Sequence, residues 1–353
     1  MVLSMVDYIV VGTGLAGICF TEKLAKEGKT FVVIDNEKRS SSLMAGGMYN
    51  PVVLKRFTDV WKVGEQLEIA LPFYTELEKK LGEKFIFAMP LYRRLLSVEE
   101  QNNWFHAADK PNLEKYLSPK LVRDEINGVK SPFGFGEVNY TGYVETKTLI
   151  KAYRAYLNEI NSYIQEDFDY DSLSYTDERI TYKDIVAKHI VFAEGFGMLQ
   201  NPFFKGLPLD GTKGEVLLVR IPNLNVDVIL KANVFLIPVG NDLYKVGATY
   251  DWQDKTDNTT AEGLSELLEG LRDVVDLDFE VVAHNAGVRP TVKDRRPLLG
   301  RSRESGRIHV LNGLGTRGVL LGPFLADKLY NNIENAMELE ENISIHRYKK
   351  FKF

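Results

Sequence analysis

Gly12-x-Gly14-x-x-Gly17 and, 21 positions beyond Gly14, Asp35 are the first residues whose types and spacing could do chemistry. In this pattern the first glycine permits a tight turn, the second lets backbone approach a pyrophosphate, and the third lets a helix pack on a strand. The amides at the start of that helix, and the positive end of its dipole, then face the phosphates. Leu15 and Ala16 lie inside the motif and are taken as contacts with the same ligand. Asp35 can accept from both hydroxyls of a ribose, with Asn36 beside it, and its charge repels a 2′-phosphate, which disfavours NADP. These residues predict a dinucleotide site and leave FAD and NAD both open.

The motif works only if a strand precedes it and a helix follows. Asp7–Val11 is β-branched and apolar and reads as a fully buried strand. The helix is expected to run from the glycine turn to about Glu27, where Gly28 stops it. A second buried strand, Thr30–Ile34, carries Asp35 at its end, completing a βαβ unit that opens a parallel sheet. A helix is predicted over 146–160, capped by Thr146, with Leu149, Tyr153, Leu157 and Ile160 on one face. A further buried strand, His189–Ala193, leads into Glu194-Gly195-Phe-Gly197, and a last helix starts near Gly318. Segments 85–97 and 214–250 are short, alternating and broken by Pro, Gly, Asn and Asp; they predict an antiparallel sheet with a turn at Gly240-Asn-Asp242. The tail from Glu334 to Phe353 reads as a surface helix and a loose end.

Three further stretches decide the cofactor. Ser40-Ser-Ser-Leu-Met-Ala45-Gly46-Gly47-Met-Tyr-Asn-Pro51 is a small-residue loop after the second strand. Gly287-Val-Arg289-Pro290 and Asn312-Gly313-Leu-Gly315-Thr316-Arg317-Gly318 lie near the other end. With these residues the chain, from Asp7 to about Asn331, resembles the D-amino-acid oxidase and glycine oxidase family of FAD-dependent amine oxidoreductases. Gly313–Gly318 and Gly247-Ala-Thr249-Tyr also resemble the oxidase half of the bifunctional enzyme that modifies tRNA wobble uridines.

The resemblance implies an α/β fold: a Rossmann-like, glutathione-reductase-like FAD domain at 1–84, 141–213 and 286–353, interleaved with an antiparallel-sheet substrate domain at 85–140 and 214–285. It implies FAD contacts at Gly12, Gly14, Leu15, Ala16, Gly17, Asp35 and Asn36, and at Ala45, Gly46 and Gly47 beside the isoalloxazine. Phe168 falls where backbone meets the adenine, and Ala193 and Gly195 fall in the segment closing over the cofactor, where Glu194 departs from the family's usual threonine. Gly315, Thr316, Arg317 and Gly318 match the loop facing the flavin's pyrimidine edge, where a helix N-terminus stabilises negative charge. FAD is expected to be non-covalent: Cys19 belongs to the pyrophosphate helix and the 40–51 loop has no His.

Four residues are candidates for the reaction. Arg289 matches the family's carboxylate clamp, a task suited to a planar guanidinium; the alternative is a structural pair with Asp294. Arg317 could bind an anionic substrate, balance reduced-flavin charge, or be a solvated loop arginine. Lys245 resembles the lysine that sarcosine oxidases hold near flavin for oxygen activation, against an outward strand lysine. Tyr250 could reach a carboxylate through its hydroxyl.

Composition bounds the rest. The 353 residues carry 44 Lys and Arg against 49 Asp and Glu, and a net charge of −5 disfavours nucleic acid as a partner. One cysteine, read as a buried apolar residue, excludes an intrachain disulfide, and the five histidines show no metal-ligand spacing. No stretch has the ~20 apolar residues of a membrane span, and a cytoplasmic setting is expected. The expected reaction is hydride removal from the α-carbon of a small amine or amino acid, with electrons passed to oxygen or another acceptor. Alternatives are a tRNA-modification-type oxidase acting on a carboxymethylamino group, a dehydrogenase with a non-oxygen acceptor, and a non-catalytic flavin-binding protein. Nothing in the sequence excludes an oligomer.

Overall fold

The first strand, Val6–Val11, runs parallel to Phe31–Asp35 on one side and to Ile185–Phe192 on the other. In this computed structural model residues 5–38 and 40–350 are described. The outermost residues of the expected first and last domain segments, and the end of the tail, lie outside them. Tyr163–Gln165 extends the parallel set beyond Phe31–Asp35. Ile308–Asn312 pairs parallel with the far end of Ile185–Phe192; the antiparallel strands Ile180–Tyr182 and Leu298–Arg301 continue the sheet on that side, while the parallel Tyr163–Gln165 forms the other edge. Tyr8, Ile9 and Val10 are fully buried, as expected of a strand covered on both faces. On one face lie Leu15–Lys26, Thr146–Glu159 and the last helix, Gly318–Glu334.

The second large sheet has the order Glu280–Arg289, Thr212–Arg220, Leu243–Gly247, Phe235–Gly240, Ile229–Lys231, Leu91–Arg94, Phe135–Val138, Leu117–Val122. Its pairs are antiparallel with one exception, Ile229–Lys231 against Leu91–Arg94, which run parallel. The expected turn at 240–242 forms, with Asn241 at φ 54° and Asp242 at φ 57°, the left-handed pair that a two-residue hairpin requires. Strand alternation divides the labour of Thr212–Arg220. Glu215, Leu217 and Val219 meet the helix Ala261–Val274 and its core, while Gly214 and Val216 face the other way. The strand Glu280–Arg289 is ten residues long, and its far end carries Arg289 into the site.

Two local expectations fail. Thr146 is the first helical residue, not the cap; Glu145 occupies the cap position and the buried Thr146 hydroxyl has no partner among the described residues. The tail is not a helix beyond Glu334. It returns as an irregular segment with a turn at 341–343 and one 3-10 turn at Ile345–Arg347, because Ile343 and Ile345 are fully buried and the Ile343 carbonyl accepts from the Leu299 amide.

Candidate active site

A cavity of about 960 Å³ is lined by both large sheets and by the Ser40–Pro51 segment. Of the residues singled out from sequence, all but Gly17 and Lys245 line it.

The three motif glycines serve different ends. A Cβ on Gly17 would stand 1.9 Å from the Gly12 carbonyl oxygen, so this glycine is demanded by helix-on-strand contact. Gly12 has φ 105°, and a Cβ there would meet the Ala193 carbonyl at 2.6 Å. Gly14 is different. Among the described residues outside its own chain neighbours, its Cβ would touch only Ser42, with the hydroxyl at 3.2 Å and Cβ at 3.9 Å. Packing alone therefore explains Gly12 and Gly17, and the space in front of Gly14 belongs to the cavity.

Asp35 stands at the cavity wall with its carboxylate already engaged. It accepts from the Thr13 amide at 2.7 Å, from the Glu37 amide at 2.7 Å and from Arg154 at 2.7 Å. A carboxylate offers about four acceptor positions, so one remains for a hydroxyl. Arg154 also donates to Thr13 Oγ1 at 2.8 Å, and sequence reading missed it because its partner lies 119 positions away. Asn36 is tied to Asp167 at 2.7 Å. Phe168 is stacked on Tyr182, centroids 4.4 Å apart, presenting an aromatic wall with Tyr170. Glu194 receives hydrogen bonds from the Tyr170 hydroxyl and, at 2.7 Å, from Asn201. Desolvation raises its pKa to about 7, against those two bonds, which lower it.

The segments at 45–47 and 315–318 line the same cavity. Gly46 lies under the Phe235 ring, where a Cβ would stand 2.7 Å from Cζ, and Gly47, at φ 74°, lies against the Val144 carbonyl. At the start of the last helix the Gly315 amide donates to the Pro290 carbonyl and the Arg317 amide to the Leu314 carbonyl, both at 3.1 Å. Two of the four amides in that loop are thus used internally.

The other end of the cavity is built by Arg289, Tyr250 and Arg317. Arg289 lies flat across Gly214: a Cβ on Gly214 would be 1.9 Å from its Nη2. Its Nη1 donates to the carbonyls of Lys213 at 3.2 Å and Thr249 at 3.3 Å, and its guanidinium carbon is 4.6 Å from the Tyr250 ring centroid. Asp294 is not its partner; that carboxylate takes Arg347 and Tyr348 instead. Arg317 donates to the Asn50 carbonyl at 3.3 Å. Desolvation lowers the pKa of both arginines. Tyr250 is 60% exposed and sits over this end. Lys245 shares a strand face with Gly247 but is two residues further along, and pairs with Glu145 at 2.6 Å outside the cavity lining. Sequence reading also missed Lys231, which lines the cavity and donates to the Ala232 carbonyl at 2.6 Å. Burial, and then neighbouring Arg93, lower its pKa to about 8. Its only sequence signal is alternation within a three-residue strand, too short to fix a face.

A parallel sheet opened by a glycine turn, facing an antiparallel sheet across one cavity, defines a two-sheet dinucleotide-binding architecture. Residues 7–331 match the FAD dependent oxidoreductase family, DAO, and the chain belongs to it; the protein is an FAD-dependent oxidoreductase. It is 23% identical over 348 residues to the glycine oxidase of Bacillus subtilis, covering 90% of each chain. It is 20% identical over 349 residues to the tRNA 5-methylaminomethyl-2-thiouridine biosynthesis bifunctional protein of Marinobacter nauticus, covering 92% of this chain but only 55% of that protein's length. Among solved structures, the iminodiacetate oxidase of Chelativorans superposes with a TM-score of 0.76 at 17% identity, covering 96% of this chain and 99% of that one. The residues present fit FAD: a glycine with no packing reason of its own, a carboxylate with one acceptor position left, and an aromatic wall all line one cavity. Among the described residues no helix is long and apolar enough to cross a membrane.

Proposed function

We propose that this cavity oxidises the C–N bond of a small amine or amino acid to an imine, with residues 85–140 and 214–285 forming the substrate-binding part. FAD, bound non-covalently along Gly12, Gly14 and Asp35, supplies the two-electron acceptor chemistry. The observation that carries the reading is Arg289: a partly buried guanidinium laid across Gly214, hydrogen-bonded among the described residues to carbonyls and in no ion pair with them, in the same cavity as the glycine turn. The Lys213 and Thr249 carbonyls fix the plane of the group, so its remaining N–H donors can take a carboxylate in a bidentate pair. That pair sets the direction of the substrate's α-carbon, and Tyr250 stacks on the guanidinium from above. The α C–H and an N–H are lost as two electrons and two protons, and water then hydrolyses the imine to a carbonyl compound and ammonia or a primary amine. Oxygen or another acceptor takes the electrons afterwards.

The test is Arg289→Ala in an anaerobic reductive titration with the best amino acid and with its decarboxylated amine. Deleting one partner of a buried charge pair costs on the order of 3 kcal/mol, so kcat/KM for the amino acid should fall roughly a hundredfold. The amine lacking a carboxylate should lose far less, FAD content should stay normal, and lysine should rescue only part of the loss. Equal losses on both substrates would make Arg289 a structural residue.

A further inference from the structure

We infer that the substrate carries two carboxylates, one held by Arg289 and the other by Arg317. This deepens the reading of the cavity as an amine-oxidising site and rests on it for the word amine, but its charge argument stands on the protein alone.

Two guanidinium groups share this end of the cavity. Both lie within electrostatic reach of the Tyr250 phenol, and Arg289 is stacked on its ring. Neither forms an ion pair among the described residues; their hydrogen bonds there go to neutral backbone carbonyls, of Lys213 and Thr249 for one and Asn50 for the other. Like charges confined together in a low-dielectric space repel, and a desolvated cation is retained at a cost unless something anionic meets it. The cavity's own acids do not. Asp35 is taken by Arg154, Asp167 by Lys38, Glu166 by Lys183 and Glu194 by Tyr170 and Asn201, while Asp257 forms no ion pair among the described residues. The FAD pyrophosphate belongs at the glycine turn, with a different set of groups. A substrate with one carboxylate would neutralise one guanidinium and leave the other facing it unpaired. An amine bearing two carboxylates, such as an N-carboxymethyl amino acid or an acidic amino acid, answers both.

The experiment uses the FAD-loaded enzyme and ligands that cannot be oxidised at a C–N bond. Dissociation constants are read from perturbation of the flavin spectrum for diglycolate, succinate and glutarate. Each is compared with its partner bearing a methyl in place of one carboxylate: ethoxyacetate, butyrate and pentanoate. One charge-assisted contact is worth about tenfold or more, so the best dicarboxylate should bind at least about tenfold tighter than its partner. Arg317→Gln should collapse that ratio towards unity, and Arg317→Lys should restore part of it. Equal binding of every pair by the wild type overturns the inference without any variant. So does an Arg317→Gln protein of normal FAD content that weakens both members of a pair alike, the behaviour of a residue serving the flavin. A dicarboxylate preference in an enzyme whose flavin no amine reduces would uphold the two-anion site and defeat the amine reading. Reduction by amines with no preference would do the reverse.

Discussion

The two ends of the cavity are held together by opposite arrangements of charge. At the glycine-turn end the charges are matched within the protein: Asp35 with Arg154, Asp167 with Lys38, Glu166 with Lys183. At the other end Arg289 and Arg317 form no ion pair among the described residues; their hydrogen bonds go to backbone carbonyls, and Tyr250 lies over Arg289. The first end is a scaffold that is complete before ligand arrives, so its ligand must be met largely by backbone and by one spare acceptor. The second is incomplete, and its electrostatics describe what must come to it.

The glycine turn offers the sharpest way to break this contrast. Gly17→Val forces a side chain into the Gly12 carbonyl, an overpacking cost of about 3 kcal/mol or more, and should leave little folded protein with or without FAD. A Cβ at Gly14 meets only Ser42 among the described residues, so the Gly14→Val apoprotein should fold with a thermal midpoint near wild type while FAD content falls to background. Calorimetry of the apo forms beside the flavin-to-protein absorbance ratio reads both. A folded Gly14→Val protein that keeps its FAD would refute the assigned pyrophosphate position.

Legibility in the sequence follows the same division. The βαβ unit could be read because its determinants lie between Asp7 and Asp35, within one local element pattern. The arginine end draws on Gly214, Tyr250, Arg289 and Arg317, on four separate segments, and only motif resemblance flagged the last three. Gly214 carried no signal, because its reason is the guanidinium lying on it. Arg154 and Glu145 were invisible for a like cause: each takes its meaning from a partner at least 100 positions away. Lys245 was given a place by motif alone, and alternation could not say that two residues further along the strand is already outside the cavity lining.

Glu194 tests whether the glycine-turn end is complete without ligand. Its folded pKa, about 7, stands above the ordinary carboxyl value of 4.5 because burial disfavours the anion. The folded state therefore holds its proton longer than the unfolded chain, and stability falls as pH rises from about 4.5 to about 7, then levels. Glu194→Gln removes that loss. Its stability relative to wild type should climb by roughly 2 kcal/mol between those limits, read by urea unfolding at pH 5 and pH 8. A difference independent of pH would show that the carboxyl is ionised throughout.

Lys245 gives the smallest effect and separates two roles. If its ammonium serves Glu145, Lys245→Met should cost about 1 kcal/mol of stability and leave reoxidation of the reduced enzyme by oxygen as in wild type. Slowed reoxidation with an unchanged thermal midpoint would move Lys245 back to the flavin.

The central claim, that the unmatched end of the cavity takes an amine for oxidation beside FAD, is tested most directly by anaerobic bleaching of the wild-type flavin. The panel sets amino acids, N-carboxymethyl amino acids and simple amines against 2-hydroxy acids and glycerol phosphate of matching charge. The account predicts that amines bearing carboxylates bleach the visible flavin band in a single turnover, and that their hydroxy counterparts do not. Bleaching by a hydroxy acid or glycerol phosphate, with every amine silent, would contradict it.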